Sequence, residues 1–345
     1  MGPAPITNIG VTNLRSAAGR MGSSTPGEGG SMASGKSAAF VGYLRGIAGS
    51  QVLSGQQLPE DRRTPTPDDL LRLPERPAIL GANILVGDQD EHGQDAHVQQ
   101  ILREHIAAGG AVSLCMHPPN LFHGPQNLAT AWVGTGHEND GKPDLGDLLR
   151  VTASVSKRYR QVLDQAIAYI QTLPADAPVI FRPWHEAGGR HFWWGRDVRD
   201  PARSETGVRA LWLDTMRIVR AACPNVLAGF SAAMSHFSPI DYGYPPDDEV
   251  DAVGASLYSQ AGEFAHEQDY PMLVSKGRPV LLFELGGDPQ HRGWSAGDIF
   301  WATHRYPEVV GFVAGQDRDS LVSIPGGARL LGDARLVNLG DLDFG

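Results

Sequence analysis

Eight short apolar runs, with helix-like stretches between most of them, constrain the fold of this chain more than any other feature. The runs cover residues 51–57, 78–83, 111–117, 179–181, 225–230, 250–258, 278–284 and 309–314. Most are apolar along their length rather than alternating, as expected of strands buried on both faces of a parallel sheet. Helical spacing precedes and separates them. Phe40, Tyr43, Leu44 and Ile47 recur at three- and four-residue steps before Gly49, and similar patterns cover 97–108, 156–173 and 207–222. The alternation predicts an α/β fold. Eight such units in about 300 residues predict a closed (β/α)8 TIM barrel, with function gathered at the carboxyl ends of the strands. An open doubly wound sheet is the competing architecture. Its usual mark is a glycine-rich phosphate loop after the first strand, and Ser54-Gly55-Gln56-Gln57 is not one.

The barrel domain is expected at residues 35–345. Residues 1–34 are rich in Gly, Ser, Pro and Ala and carry too little to bury, so they read as a flexible N-terminal extension or linker. The net charge of −10 argues against nucleic acid and against an anionic membrane, since both select for clustered Lys and Arg. No apolar run is long enough to cross a bilayer, and no signal-peptide core is visible in 1–34. Cys115 and Cys223 sit in apolar patterns and read as buried free thiols. A neutral partner suits this balance, and a monomer is expected.

The densest chemistry lies in residues 179–195, VIFRPWHEAGGRHFWWG. Pro183 has no N–H to give to a ladder and ends the strand. Trp184, His185 and Glu186 follow, before Gly188 and Gly189. A carboxylate walled in by Trp184, Phe192, Trp193 and Trp194 would be desolvated, which raises its pKa and keeps it protonated as a general acid near neutral pH. A lone glutamate after a strand is most often a surface-loop residue. Here Arg182, His185 and three further aromatics crowd the same strand end, which argues for a site.

The other strand ends add His117, Tyr258, Glu284, Gln316 and Asp317. Glu186 and Glu284, delivered by two strands to one bowl, form the carboxylate pair that glycoside hydrolysis needs. Glu284 is expected to stay ionised through hydrogen bonds from neighbours such as Tyr258, with Glu186 protonated. The two carboxyl groups are expected roughly 5 Å apart, the separation of a retaining double displacement. Trp132, Trp184, Trp193, Trp194 and Trp294 offer flat faces on which the C–H patches of sugars stack, while Trp301, inside a helical pattern, is expected in the core, as is at least one of Trp193 and Trp194. No metal is expected, because His185 and His191 are six apart, not the four of H-E-x-x-H, and two glycines lie between them. No G-x-S-x-G serine nucleophile occurs.

Carrying these residues, the chain resembles glycoside hydrolase family 26, a clan of retaining (β/α)8 barrels best known for endo-β-1,4-mannanases. The likeness runs from Lys36 onward. It is strongest in Arg182-Pro183-Trp184-His185-Glu186 with Gly188 and Phe192-Trp193-Trp194-Gly195. It extends to Val52-Leu53-Ser54-Gly55-Gln56, His117-Pro118-Pro119-Asn120 and Phe283-Glu284-Leu285-Gly286. The resemblance implies Glu186 as acid/base and Glu284 as nucleophile. It also implies that His117 and His185 hold the sugar at the cleavage point, that Tyr258 orients Glu284, that no cofactor is needed, and that the protein is secreted. Two departures bear on substrate. His191 stands where the family usually carries a tryptophan, and Gln316 and Asp317 stand near where another closes the eighth strand. The candidate substrate-binding set is therefore His117, Trp132, Trp184, His185, His191, Phe192, Trp193, Tyr258 and Gln316. The expected activity is retaining endo-hydrolysis of a neutral β-linked polysaccharide, with β-1,4-mannan first. β-1,3-xylan, mixed-linkage β-glucan, or binding without turnover are the alternatives.

Overall fold

The computed structural model describes residues 35–345 apart from 60–65, 88–93, 125–127, 134–141, 235, 237 and 291–292. The expected extension at 1–34 lies outside the described residues. Strands β1 (Val52–Leu53) and β2 (Gly55–Gln57), on either side of Ser54, share the first position of a parallel ring. The ring continues through β3 (Ile79–Ile84), β4 (Ala111–Met116), β5 (Val179–Arg182), β6 (Val226–Ala233), β7 (Ala252–Ser259), β8 (Val280–Gly287) and β9 (Val309–Ala314). Strand β9 pairs back with β1 and β2 and closes the expected eight-membered barrel. A tenth strand, β10 (Leu336–Val337), lies parallel to β1 outside the ring. Two residues carry no readable period, so this strand has no sequence signature.

Alternation along the strands divides the core in two. Leu53, Ile79, Ala111, Ile180, Leu227, Ala252, Leu281 and Val310 point inward, where Phe40, Leu44 and Ile47 of helix α1 (Gly35–Ile47) close the amino-terminal end. Val179, Phe181 and the other outward residues pack beneath the helical layer. With its base sealed by hydrocarbon, the barrel has room for polar inward groups only at the carboxyl end.

Helices α2 (Pro67–Leu71), α3 (Gln94–Ala107), α4 (Gly146–Leu149), α5 (Ser154–Gln171), α6 (Pro201–Ala222), α7 (Asp269–Ser275), α8 (Ala296–Arg305) and α9 (Gly327–Leu330) complete the described helical elements. Helix α6 starts at Pro201, earlier than the periodicity from Gly207 suggests. The Asp200 carboxylate accepts from the Arg203 amide at 3.2 Å, and proline is tolerated in the first turn, so an N-cap adds polar turns to the amphipathic part. Helix α8 corrects one expectation. Ile299, Ala302 and Thr303 take its buried face, which leaves Trp301 on the opposite side, 67% exposed rather than in the core.

Candidate active site

Inward alternation on β5 places Arg182 above Ile180 at the open end of the barrel. Its side chain is fully buried, with Nε donating to Ser113 Oγ (3.1 Å) and Nη1 to Glu284 Oε1 (3.2 Å). Gly229 on β6 makes room for it, since a Cβ there would stand 2.9 Å from Arg182 Cγ. Sequence reasoning placed Arg182 at the crowded strand end without assigning it a role. The signal it missed is the step of two from Ile180, which turns a long cation into the barrel.

Beyond Arg182 the chain turns sharply. Trp184 and Glu186 have φ of 53° and 56°, left-handed backbone that side-chain-bearing residues rarely adopt. The turn is held by the Glu186 amide donating to Ser231 O at 2.8 Å and by Trp194 Nε1 donating to His185 O at 3.0 Å. Glu284 lies within β8, which runs on to Gly287 rather than ending at the glutamate. There Ala255 and Ser256 of β7 pair with Leu282 and Glu284, so Phe283 is an extra residue on β8. Such a bulge resets the alternation, and Glu284 faces inward next to inward-facing Phe283.

Glu284 receives Tyr258 Oη at 3.0 Å on Oε2, opposite the Arg182 bond on Oε1. His185 Nε2 is 4.0 Å from Oε1 and 3.1 Å from His117 Nε2, and His117 Nδ1 meets Asn83 Nδ2 at 2.6 Å. Asn83 Oδ1 accepts from Cys115 Sγ at 3.8 Å, which orients the amide so that its nitrogen donates to His117. On that assignment His117 Nε2–H donates to His185 Nε2. Burial first, with His117 close by, holds the His185 pKa well below the usual imidazole value, so this ring is neutral.

The pulls on the two glutamates run against the expectation in direction, downward on Glu186 and upward on Glu284. Burial pushes Glu186 up. A 2.6 Å bond to His191 Nε2, with the charge of His191, outweighs it and holds the carboxyl well below the usual carboxylate range. Burial raises Glu284, the Arg182 guanidinium opposes the rise, and the Glu186 charge adds to it. Aromatic density alone did not predict an ionisable ring bonded to the carboxylate. Tyr258 remains a protonated donor, because burial and the Glu284 charge push its phenol up. Tyr258→Phe removes one of the influences that hold Glu284 down, so the acid limb of kcat/KM should move to higher pH. A pH series on the variant checks this, with an unmoved limb as the contrary result.

A cavity of about 200 Å³ opens beside these groups, lined by Gln57, Cys115, His117, Tyr258, Glu284, Gln316 and Asp319. Gln57, Cys115 and Asp319 were not foreseen there. Cys115 is a buried free thiol as expected, yet it also shares the inward face of β4 with Ser113 and so reaches the cleft. Burial raises the Asp319 carboxyl, which accepts from the Gly287 amide at 3.3 Å. Trp132 is the exposed platform, 48% accessible and stacked on His191 with ring centroids 5.7 Å apart. Trp184 and Trp193, expected to face substrate, are instead 2% exposed, with their indole N–H groups spent on Thr215 Oγ1 and Pro118 O. Trp194 is buried as well. Phe192, 1% exposed, supports His117, His185 and His191 from beneath. Among the described residues, Cys115, His185 and Glu284 bring donor atoms within 4.8 Å of one another. They do not suit a metal, because Arg182 already pairs with Glu284 and His117 engages His185 Nε2.

A family model described as glycosyl hydrolase family 26 matches residues 30–318. The chain is 25% identical over 272 residues to the "Mannan endo-1,4-beta-mannosidase A and B" of Caldalkalibacillus mannanilyticus, covering 76% of this chain and 50% of that protein. It is 28% identical over 261 residues to a mannan endo-1,4-beta-mannosidase of Thermothelomyces thermophilus, covering 73% and 50%. The chain thus spans about half the length of these curated relatives. Among solved structures it resembles Bacillus subtilis mannanase man26 (TM-score 0.74, 20% identity, 89% and 93% coverage). It also resembles a modular Cellulomonas fimi endo-beta-1,4-mannanase (TM-score 0.69, 18% identity, 91% and 78% coverage). Both structural likenesses speak for the barrel alone. A match running from the helix that plugs the barrel to the loop after its last strand, and taking in both inward-facing glutamates, means that this chain belongs to glycosyl hydrolase family 26.

Proposed function

We propose that the chain is a retaining endo-β-1,4-mannanase in which Glu284 attacks the anomeric carbon and Glu186 serves as acid and then base. One observation supports this above the rest. Glu284 takes bonds from Arg182 (3.2 Å) and Tyr258 (3.0 Å), while Glu186, four residues beyond Arg182, is tied by its amide to Ser231 of the next strand, so both side chains, 16% and 12% exposed, belong to the carboxyl-end mouth of the barrel. A bond lying across that mouth would be flanked by both carboxylates, as double displacement needs. Arg182 and Tyr258 orient Glu284 and keep it ionised. His117 lines the cavity beside Glu284, where a sugar would meet its ring, and Trp132 offers a stacking face. The choice of mannan rests on the two curated relatives, both named as mannan endo-1,4-beta-mannosidases. Polymers of this kind do not cross membranes, so the same assignment has the chain acting outside the cytoplasm. Incubation with galactomannan, glucomannan, lichenan and β-1,3-xylan, followed by a reducing-end assay, tests it. Release from the two mannans is expected. Binding without release on all four would favour a carbohydrate-binding barrel.

A further inference from the structure

We propose that His191 is the proton store of the acid/base, so that Glu186 and His191 together hold one exchangeable proton that is given to the leaving oxygen and recovered from water. The proposal rests on Glu186 being the acid/base.

The geometry is specific. His191 Nε2 lies 2.6 Å from Glu186 Oε2. The ring stacks on Trp132 at 5.7 Å and packs against Phe192 at 4.4 Å. Its backbone oxygen accepts from the Val133 amide at 2.6 Å, and Trp132 and Phe192 form a bridge between the two loops. Gly189 leaves the space the imidazole fills, since a Cβ there would stand 2.7 Å from Cε1 and 2.9 Å from Nδ1. A loop cut to this shape fixes the ring with its nitrogen aimed at the carboxylate.

The pair also answers a chemical need. A carboxylate held as strongly ionised as Glu186 is a poor acid unless a neighbour supplies the proton. With His191 protonated, the formal charges of Glu186, Glu284, Arg182 and His191 cancel. The other groups facing the pair are neutral His185, Tyr258 and Ser256 of β7, and His117 beyond β4. Asp319 acts on the far side of Tyr258. Behind the loop the Lys142 ammonium donates to the carbonyls of Arg190 (3.1 Å) and Phe192 (2.6 Å). His191 is 39% exposed against 12% for Glu186, so it can exchange with solvent when a sugar covers the carboxylate.

In the first half-reaction the Glu284 carboxylate forms a bond to the anomeric carbon. The bond to the leaving oxygen breaks with its electron pair, and that oxygen takes the proton from Glu186, which is replenished from His191 Nε2. Glu186 is then a carboxylate beside a neutral imidazole. In the second half-reaction water attacks the anomeric carbon, its proton passes to Glu186 and on to His191, and Glu284 departs ionised.

The experiment measures kcat/KM against pH for the wild type, His191→Ala, His191→Asn and Glu186→Gln. The substrates are mannan and a dinitrophenyl β-mannobioside, whose leaving group needs no proton. Both His191 variants should move the alkaline limb toward acid by about one pH unit or more, because the proton then has only the carboxylate to hold it. They should lose roughly tenfold or more on mannan near neutrality and markedly less on the aryl substrate, which also reports that they fold. Asparagine keeps a donor but cannot store a proton, so wild-type behaviour in His191→Asn means an orienting role and overturns the proposal. An unmoved limb in both His191 variants beside a dead Glu186→Gln overturns the proton store alone. Retained turnover of mannan by Glu186→Gln overturns the acid/base assignment and the store with it.

Discussion

Glu284→Ala is expected to abolish hydrolysis of mannan, with a loss on the order of 10⁵-fold or more, the scale seen when a covalent nucleophile is removed from a hydrolase. Among the described residues, the other carboxylate lining the cavity is Asp319, whose carboxyl is pushed up by burial. The variant also strands Arg182, whose fully buried guanidinium would lose its carboxylate partner. Removing one member of a buried ion pair costs about 3–5 kcal/mol. A fall in melting temperature should therefore accompany the loss of activity, and Glu284→Gln, which keeps an oxygen near Arg182, should melt closer to wild type. Azide supplied to Glu284→Ala with an activated aryl mannobioside fits the vacated space and attacks from that face, giving the α-glycosyl azide. A β-azide would contradict the assignment.

Glu186→Ala should act differently on the two half-reactions. With mannan the leaving alkoxide has no proton donor, and kcat/KM is expected to fall by about 10²–10⁴-fold, the usual worth of a positioned general acid. With a dinitrophenyl leaving group the first step needs no acid and is spared. Deglycosylation still lacks its base, so a burst followed by slow turnover is the expected time course. Azide attacking the glycosyl-enzyme from the side Glu186 vacates should give the β-glycosyl azide and restore turnover. Equal losses on both substrates, without a burst, would show that Glu186 does not serve the leaving group.

The barrel was legible in the sequence because strands buried on both faces must be apolar along their length, and eight such runs leave few topologies. Boundaries were less legible. Helix α6 begins in a polar turn capped by Asp200, where period gives no signal. Trp301 was misplaced because membership of a helix does not say which face a residue takes, and Ile299, Ala302 and Thr303 fix the buried side. At the site, both glutamates, both histidines and Tyr258 were visible as strand-end residues, and they meet around one cleft. The bond from Arg182 to Glu284 was not legible, since it depends on inward alternation and on space left by Gly229, which no linear motif records. Trp184 and Trp193 look like sugar platforms in the sequence, yet they bury their rings and leave Trp132 and His191 at the rim. The downward pull on Glu186 was not legible for a related reason. Aromatic density predicts desolvation, whereas the 2.6 Å contact to His191 depends on a loop conformation that Gly189 permits.

The proposed double displacement requires that Glu284 become covalently attached to the sugar. Brief incubation with a 2-deoxy-2-fluoro-mannobiosyl fluoride, which forms the glycosyl-enzyme faster than it is hydrolysed, followed by proteolysis and tandem mass spectrometry, tests this directly. The predicted result is one adduct on the peptide containing Phe283-Glu284-Leu285-Gly286, localised to Glu284. An adduct on Glu186 or on any other residue would contradict it.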